Sequence, residues 1–446
     1  MTQKTMHVGF DDTDSIKGGC TTYIAALLVQ ELLSLGVEFI DYPNIIRLNP
    51  NVPWKTRGNG TLCLRFKCNE NDEDKVKENI VSTVESHSDL TCKGTDPGIV
   101  FFPKEIIPKQ IRSFAVDTIA GVVSLREATK LIRKHQAEAL GFNSRRGIIG
   151  AFAAIGETLQ HDHTYEVLAY RVPENCGTKR RVDIESIFSM DRLTSPLTFN
   201  NVDDEKKRVI ITPRGPDPIL FGVRGETASI VKKAFKLVKP LEQVERWVVF
   251  RTNQGTDMHL KRVKSLGEAK PYNPIIAKAT VSAEPRMISV RHVIFSVKDD
   301  VAEVDCAAYE PTGALRRAAR ELTIGDTVEV SGGVRALSSN VPLTINLEKM
   351  RILNLVLRIS YHNPVCNKCG KRLESMGKGQ GFRCKKCNSK YPALGKTEVV
   401  LNRNLRSGLY IASPRSQRHL TKPFVRYGQE KRGASDFKMI EGWHWP

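Results

Sequence analysis

Three aspartates stand within four positions near the start of the chain, in the string V-G-F-D-D-T-D-S-I-K-G-G-C-T-T. The carboxylates of Asp11, Asp12 and Asp14 repel one another unless a cation lies among them. Hard oxygen ligands of this kind suit Mg²⁺ that is shared with nucleotide phosphates. An acidic turn that only caps the next helix would contain the same residue types. The aspartates therefore predict either a metal and nucleotide site or a helix cap.

The residues after the aspartates could hold a phosphate group. Gly18 and Gly19 let backbone N–H groups approach a ligand. Thr21 and Thr22 place hydroxyls at the positive end of a helix that we predict over residues 23–35. The loop matches neither G-x-x-x-x-G-K-[ST] nor G-x-G-x-x-G, so it is not one of these two common phosphate-binding loops.

A second candidate anion site is the string G-F-N-S-R-R-G-I-I-G-A-F-A-A-I-G. Asn143, Arg145, Arg146 and Gly147 stand just before an apolar helix predicted over 148–155. Two guanidinium groups at a helix N-terminus form a plausible clamp for phosphates. Simple surface exposure of both arginines is the alternative.

Four of the ten cysteines have the spacing of metal ligands. Cys366 and Cys369 form one C-x-x-C pair, and Cys384 and Cys387 form another after fourteen residues. This spacing predicts a closed, tetrahedral zinc site in a zinc ribbon. The other six cysteines are read as buried thiols. Cys20 is the exception, because a thiolate would be favoured at a helix start.

The hydrophobic patterns predict two α/β units followed by a barrel. The first unit has the order β-α-β-β-α-β of a ferredoxin-like sandwich, with strands at 6–10, 44–48, 61–67 and 99–102 and helices at 23–35 and 73–86. An amphipathic helix is predicted over 125–140. The second unit has strands at 165–171, 209–212, 219–222 and 247–251 and a helix at 227–238.

Polar residues at the strand ends of the second unit are candidate substrate contacts. Arg214 and Asp217 lie in the turn P-R-G-P-D-P, and Asn253 and Asp257 lie in T-N-Q-G-T-D-M-H-L. Ligands often bind at the ends of strands in α/β sheets. A turn that merely closes the sheet is the alternative.

The third unit is rich in strands and contains one short helix. Strands are predicted at 276–282, 290–297, 302–309, 328–334 and 343–350, with a helix at 313–321 between the third and fourth. This pattern predicts an OB-fold barrel, a fold that binds single strands or RNA ends.

The positive charge is concentrated at the end of the chain. Residues 351–446 contain 20 Lys and Arg against 5 Asp and Glu, which accounts for +15 of the net charge of +19. Phe424, Tyr427, Trp443 and Trp445 interrupt the basic residues. This combination favours nucleic-acid binding over a solvated tail. No signal peptide or apolar run of about 18 residues is present, so we expect an intracellular, cytoplasmic protein with no membrane partner.

The predicted fold class is multidomain α+β, with two ferredoxin-like or kinase-like α/β units, an OB-fold β-barrel and a zinc ribbon. The predicted domains are the kinase-like unit with the aspartate loop at 1–120, the second α/β unit at 121–268, the barrel at 269–353, the ribbon at 354–395 and a basic segment at 396–446.

Four strings together resemble a known family. G-F-D-D-T-D-S with C-T-T, the arginine string above, P-R-G-P-D-P-I-L-F-G-V-R-G-E and F-R-T-N-Q-G-T-D-M-H resemble the archaeal 2-agmatinylcytidine synthetases that act on the AUA-decoding isoleucine tRNA. The resemblance covers nearly the whole chain. The segment after the ribbon contains no matching string, so only generic RNA contact is assigned to it.

The resemblance implies an ATP-dependent ligase. ATP would activate the C2 carbonyl oxygen of the wobble cytidine in the tRNA with anticodon CAU, and the amine of agmatine would displace that oxygen. The family implies that a threonine becomes phosphorylated, and by motif position this is Thr21. Asp11, Asp12 and Asp14 would then hold Mg²⁺ on ATP, and Arg145 and Arg146 would neutralise phosphate charge.

Two points remain open from the sequence. The guanidinium of agmatine needs carboxylates or carbonyls, for which Asp217 and Asp257 are candidates. A non-enzymatic nucleic-acid binder that uses the barrel and ribbon, or an RNA modifier that uses a different amine, are the alternative functions. ATP hydrolysis that depends on Asp11 and Asp12 would separate an enzyme from a binder.

Overall fold

The computed structural model describes residues 3–288, 291–336, 343–432 and 438–446. Within these ranges no helix is both long and apolar enough to cross a membrane. The N-terminal unit contains β1 (Gln3–Asp11), α1 (Thr21–Ser34), β2 (Glu38–Phe39), β3 (Asn44–Arg47), β4 (Gly60–Asn69), α2 (Glu73–Ser86), β5 (Gly98–Phe102), α3 (Lys109–Ala120), α4 (Leu125–Lys134), β6 (Glu138–Gly141) and α5 (Gly147–Gly156).

The strands of this unit confirm the predicted ferredoxin-like arrangement. Strands β5, β1, β4 and β3 lie side by side in that order, and all neighbours are antiparallel. Helices cover both faces of this sheet. Along β5, Ile99 and Phe101 pack in the core with α1 and α2, and Val100 and Phe102 pack in the core with α3 and α5. Alternate side chains of a strand point to opposite faces, so both sets are buried.

The predicted helix over 125–140 is wrong in its second half. A capping box between Ser124 and Glu127 starts α4, but α4 ends at Lys134 and Gln136 has a φ of 59°. The chain then forms β6, which pairs with the otherwise open edge of β5. Backbone pairing at this edge therefore outweighs the helical periodicity of the sequence.

The second unit continues the same sheet. It contains β7 (Thr164–Arg171), α6 (Ile184–Thr194), β8 (Thr198–Phe199), β9 (Val202–Asp203), β10 (Arg208–Val209), β11 (Ile219–Gly225), α7 (Ala228–Leu237) and β12 (Val244–Thr252). Strand β12 pairs in parallel with β3, which joins both units in one eleven-stranded sheet. Helix α6, which the sequence analysis missed, begins at Asp183, whose carboxylate accepts hydrogen bonds from two backbone N–H groups. The strand predicted over 209–212 is shorter in the structure, where only the two residues of β10 form a strand.

The predicted five-stranded barrel is confirmed. This part of the chain contains β13 (Lys261–Arg262), β14 (Pro274–Val281), β15 (Arg286–Ile288), β16 (His292–Lys298), β17 (Glu303–Ala308), α8 (Ala314–Arg320), β18 (Thr327–Arg335) and β19 (Thr344–Asn354). The order β14-β18-β19-β17-β16 is closed by pairing between β14 and β16. The predicted start of the second barrel strand, Val290, lies outside the described residues.

In the described part of the ribbon and the C-terminal segment, the strands are short. These are β20 (Arg358–His362), β21 (Glu374–Ser375), β22 (Phe382–Arg383), β23 (Lys390–Tyr391), β24 (Thr397–Leu401), β25 (Gly408–Ile411) and β26 (His444–Trp445). Strand β25 pairs with barrel strand β19, and β26 pairs with β12 in the large sheet. Leu420 and Trp443 are buried in the two cores that pack against the large sheet. The C-terminal segment is therefore a folded connection between barrel and sheet rather than a basic tail.

Part of the positive charge of this segment is used inside the protein. The side chain of Arg426 is fully buried and pairs with Asp162 at 2.8 Å and with Glu226. It also donates to the carbonyl oxygen of Gly255. Removing one partner of a buried ion pair leaves an uncompensated charge.

We expect Arg426→Met to destabilise the protein by about 3 kcal/mol or more, because the buried Glu226 and the partly buried Asp162 would lose their main cation. The unfolding midpoint of the full chain in urea measures this. The exposed Arg432 is the matched control, and Arg432→Met should leave the midpoint unchanged. An Arg426→Met midpoint equal to that of the wild type would contradict a structural role for this segment.

Candidate active site

Helix α5 lies directly on the backbone of β1 and β5. A Cβ atom at Gly9 would overlap the backbone of Ala151, and one at Gly98 would overlap the first turn of α5. Because Gly9 and Gly98 have no side chains, the N-terminus of α5 can lie close to the end of β1. There the carboxylate of Asp11 occupies the space that a side chain at Gly150 would need. Glycine is therefore required at these contacts for steric reasons.

The surroundings of Asp11 and Asp12 disfavour the charged form of both carboxyl groups. Burial, and then the neighbouring Asp12, raise the pKa of Asp11 well above its usual range. Burial, followed by the charges of Asp96 and Asp14, raises the pKa of Asp12 to about 7, and Arg146 partly opposes this. A cluster of carboxylates with raised pKa values is a donor set that fits a hard divalent cation.

These acids open into a first cavity, which we call the acidic cavity. The guanidinium of Arg146 stacks on the ring of Trp54 at 4.7 Å. The lining of the acidic cavity includes carboxylates, cations, an aromatic ring and the N-terminus of α5: Asp11, Asp12, Trp54, Lys55, Arg146 and Gly147. The arrangement places positive groups opposite the carboxylates, as a bound metal and phosphate pair requires.

A second cavity of about 340 Å³ lies on the other side of the aspartate loop. We call it the threonine cavity, and its lining includes Asp14, Cys20, Thr21, Thr22, Arg47, Glu166, Asp217, Arg224 and His419. Its volume lies in the range of small-molecule sites. The hydroxyl of Thr21 accepts a hydrogen bond from Thr13 at 3.0 Å. Thr56, Asn59 and Gly60 line both cavities and form the wall between them.

The thiolate considered for Cys20 does not fit this environment. Burial raises the pKa of the Cys20 thiol, and the hydrogen bond with Thr22 only partly opposes the shift. The helix start is therefore not sufficient to stabilise a thiolate at a fully buried position.

Several predicted phosphate-binding residues lie outside the lining of both cavities in the described part of the chain. The carbonyl oxygens of Gly18 and Gly19 accept hydrogen bonds from Arg57. The amide of Asn143 donates to two carbonyl oxygens in the loop before β5. Arg145 is exposed. These positions shape the loops around the acidic cavity.

Three of the four predicted substrate contacts also lie outside the cavity linings among the described residues. Arg214 is exposed. The amide of Asn253 forms hydrogen bonds with the backbone N–H and C=O of Arg47. Asp257 pairs with Lys349 and accepts a hydrogen bond from a backbone N–H of the C-terminal segment. Only Asp217 faces the threonine cavity, where it pairs with Arg180 at 3.1 Å.

Glu166 and His419 line the threonine cavity, although neither is among the site residues predicted from the sequence. Glu166 lies directly before the apolar run V-L-A-Y of β7, and a charge beside such a run in a buried strand is the available signal. It pairs with Arg224 at 2.9 Å. His419 comes from the C-terminal segment, and nothing in its neighbouring sequence predicts that it reaches this site.

The four cysteines of the ribbon form a metal site. Their sulfur atoms all lie within 4.8 Å of one another, and the Cys366–Cys387 and Cys369–Cys384 pairs are each 3.5 Å apart. This separation is too long for a disulfide bond. It is close to the value of about 3.8 Å that four Zn–S bonds of about 2.3 Å give in a tetrahedron. The donor set therefore fits zinc.

Comparison with known proteins identifies the family. Models for the TiaS TCKD domain, the TiaS FLD domain and the TiaS C-terminal zinc ribbon domain match residues 7–144, 145–259 and 363–405. A relative from Methanosarcina mazei, named as the 2-agmatinylcytidine synthetase TiaS of the second isoleucine tRNA, is 41% identical over 96% of this chain and 98% of its own length. The relative of the same name from Pyrococcus horikoshii is 42% identical over 94% and 97%. The chain belongs to the TiaS family.

Solved TiaS structures share the whole fold. The complex of TiaS with its isoleucine tRNA and ATP matches with a TM-score of 0.86 at 39% identity, over 95% of this chain and 97% of that one. The complex of TiaS with the same tRNA, AMPCPP and agmatine matches with a TM-score of 0.84 at 36% identity over the same shares. The match to the first TiaS domain extends to residue 144, and β6 pairs with β5 of that unit. The domain limits given from the sequence remain predictions.

Zinc removal should affect the ribbon alone. We expect Cys384→Ser to release the single zinc ion and to expose residues 363–405 to protease, because this small domain has a core of only a few side chains. Zinc content by atomic absorption and mapping of the cleavage sites measure this. Cys176→Ser, at a half-buried cysteine of the second unit, should retain zinc. A fully protected ribbon in the zinc-free variant would contradict the prediction.

Proposed function

We propose that this protein is an ATP-dependent ligase that attaches agmatine to C2 of the wobble cytidine in the isoleucine tRNA with anticodon CAU. The observation that carries the proposal is the similarity, over nearly the full chain, to relatives named as 2-agmatinylcytidine synthetases of the second isoleucine tRNA. The TiaS complexes with ATP, and with AMPCPP and agmatine, support ATP and agmatine as substrates.

The acidic cavity is our proposed site for the ATP phosphates. Asp11 and Asp12 would hold Mg²⁺ there, which when bound neutralises phosphate charge and polarises the phosphorus to be attacked. Arg146 and the positive end of the α5 helix dipole would stabilise the remaining negative charge from the opposite side. The raised pKa values of both aspartates support this role, since a cation would favour their charged forms.

The threonine cavity is our proposed site for the wobble cytidine and agmatine. The Thr21 hydroxyl accepts a hydrogen bond from Thr13, so its own proton is free for an acceptor, and Asp14 lines the same cavity. This supports Thr21 as the phosphorylated residue. Phosphorylation of the cytidine O2 would make it a leaving group. The amine nitrogen would then bond to C2, O2 would leave as phosphate, and the amine would lose a proton to a base.

The carboxylates of the threonine cavity are suited to a guanidinium ligand. Asp217 is the predicted agmatine contact that we retain, and Glu166 joins it as a second candidate. Both already hold an arginine, Arg180 and Arg224 respectively. For Arg214, Asn253 and Asp257 we propose supporting roles, because they lie outside this lining.

The reaction predicts a defined mass change in the RNA. An unmodified transcript of the isoleucine tRNA, incubated with protein, Mg-ATP and agmatine, should gain the mass of agmatine less water at the wobble cytidine. Thr21→Ala should lose this product, because the variant has no hydroxyl to carry a phosphoryl group. Mass spectrometry of nuclease fragments measures both results.

Thr129→Ala removes a threonine hydroxyl from α4, away from both cavities, and should leave product formation unchanged. Folding is checked by zinc content and by the unfolding midpoint. Product from Thr21→Ala at the wild-type rate would exclude a phosphothreonine step. No product from a well-folded wild type that binds the tRNA would overturn the proposed function.

A further inference from the structure

A third cavity of about 220 Å³ lies between the loop at 49–60 and residues 417–420. Its polar lining consists of cations, one histidine and one glutamine, and among the described residues it includes no aspartate or glutamate: Arg47, Lys55, Arg57, Gln417, Arg418 and His419. Arg47, Gly58 and His419 also line the threonine cavity, and Lys55 also lines the acidic cavity. The third cavity therefore adjoins both proposed substrate sites.

Most of these cations lack a negatively charged partner. The guanidinium of Arg47 makes no hydrogen bond or ion pair with the described part of the chain, and its Nε atom is buried. Lys55 donates to the carbonyl oxygen of Arg57 at 3.1 Å, and Arg418 reaches the carbonyl oxygen of Pro50 at 3.5 Å. Arg57 differs, because it lies 3.4 Å from Asp14. For Arg47, whose Nε atom is buried, a charge without a partner is costly unless a ligand of opposite sign compensates it. This cost does not apply to Arg418, which is exposed.

The histidine of this group supplies a neutral donor. Burial, followed by the charges of Arg47 and Arg224, lowers the pKa of His419 well below its usual range, so the imidazole is neutral. Nδ1 lies 2.9 Å from a guanidinium nitrogen of Arg224 and 3.1 Å from the side-chain oxygen of Gln254. A guanidinium can only donate, and its shorter, charge-assisted contact favours Nδ1 as the acceptor. The proton of the ring is therefore on Nε2.

Glycine keeps the space in front of this donor open. A Cβ atom at Gly58 would lie 2.7 Å from Nε2 of His419 and 2.8 Å from Nη1 of Arg47. A Cβ atom at Gly60 would lie 2.6 Å from the same Arg47 nitrogen. The Nε2–H group and the guanidinium thus meet over two residues without side chains, which is a cradle for a small acceptor.

We infer that Arg47, Lys55, Arg418 and His419 bind a phosphate group. Cationic donors and a neutral N–H group around one small space match the oxygens of a phosphate. The phosphate could come from the RNA backbone or from the ATP consumed next to Lys55. The position of the exposed Arg418 beside the threonine cavity favours a phosphodiester of the RNA. This choice of source rests on the proposed function, whereas the anion site itself does not.

The first test uses inorganic anions on the free, full-length protein in magnesium-free buffer. Phosphate and pyrophosphate at constant ionic strength should raise the unfolding midpoint of the wild type, because a ligand that binds only the folded state stabilises it. Arg47→Met and Arg418→Met should each weaken the fitted affinity by about tenfold. Lys75→Met, at an exposed lysine of α2, is the matched control and should behave as the wild type.

The second test uses the unmodified isoleucine tRNA transcript and titrates binding against KCl. Arg418→Met should weaken binding by about tenfold and reduce the salt slope by about one, as expected when one phosphate contact is lost. Lys75→Met should change neither value. We expect Arg47→Met to fold, because the substitution removes no ion pair. Arg418 is exposed, so Arg418→Met tests the site even if Arg47→Met is unstable.

The outcomes separate the two sources of phosphate. A loss in RNA binding assigns the site to a phosphodiester, and a loss in inorganic anion binding alone assigns it to phosphate from ATP. Unchanged binding of both ligands in folded, zinc-loaded Arg47→Met and Arg418→Met would overturn the inference. Failure of the proposed function has a different signature, namely the absence of agmatine incorporation by the wild type.

Discussion

The contact between helix α5 and the backbone of β1 and β5 is the constraint on which the active site depends. The glycines of this contact bring the helix N-terminus to Asp11. At the opposite end, the buried Arg65 donates to the carbonyl oxygens of Ala154, Ile155 and Glu157. One end of α5 is thus held by a cation and the other faces the acids, as the helix dipole favours. Both interactions fix the position of helix α5 on the sheet, and with it the position of the acidic cavity.

A second buried cluster holds the barrel against the sheet. His259 follows the last strand of the sheet and lies 3.0 Å from Glu348 of β19, which also accepts a hydrogen bond from Thr421 of the C-terminal segment. Burial opposes the charge of Glu348, but the contact with His259 lowers its pKa to about 2. The carboxylate therefore stays charged and joins three distant parts of the chain. The string T-N-Q-G-T-D-M-H-L, which contains His259, therefore belongs to this junction between barrel and sheet as well as to the surroundings of the candidate active site.

Local signals predicted the elements of the fold, and long-range pairing explains the errors. Two C-x-x-C pairs define the ribbon, and short, mainly apolar runs define the centre of β1 and β5, so these predictions needed no tertiary information. The end of α4 and the formation of β6 depend on an open edge of β5, which the local sequence does not contain. The same applies to the site. Asn143 has the sequence context of a ligand, yet its amide holds a loop, whereas His419 reaches the threonine cavity from a segment without a recognisable motif.

The separation of the two cavities constrains the chemistry of the proposed reaction. Asp11 and Asp12 open into the acidic cavity, whereas Thr21 opens into the threonine cavity, and residues of the 56–60 loop stand between them. A phosphoryl group that starts on ATP in the first cavity must therefore pass the aspartate loop before it reaches a base in the second. The hydroxyl of Thr21 comes directly after this loop and opens into the threonine cavity, so we propose it as the carrier that presents the phosphoryl group there. The separation of the two cavities thus supports the proposed phosphothreonine step over direct transfer from ATP to RNA.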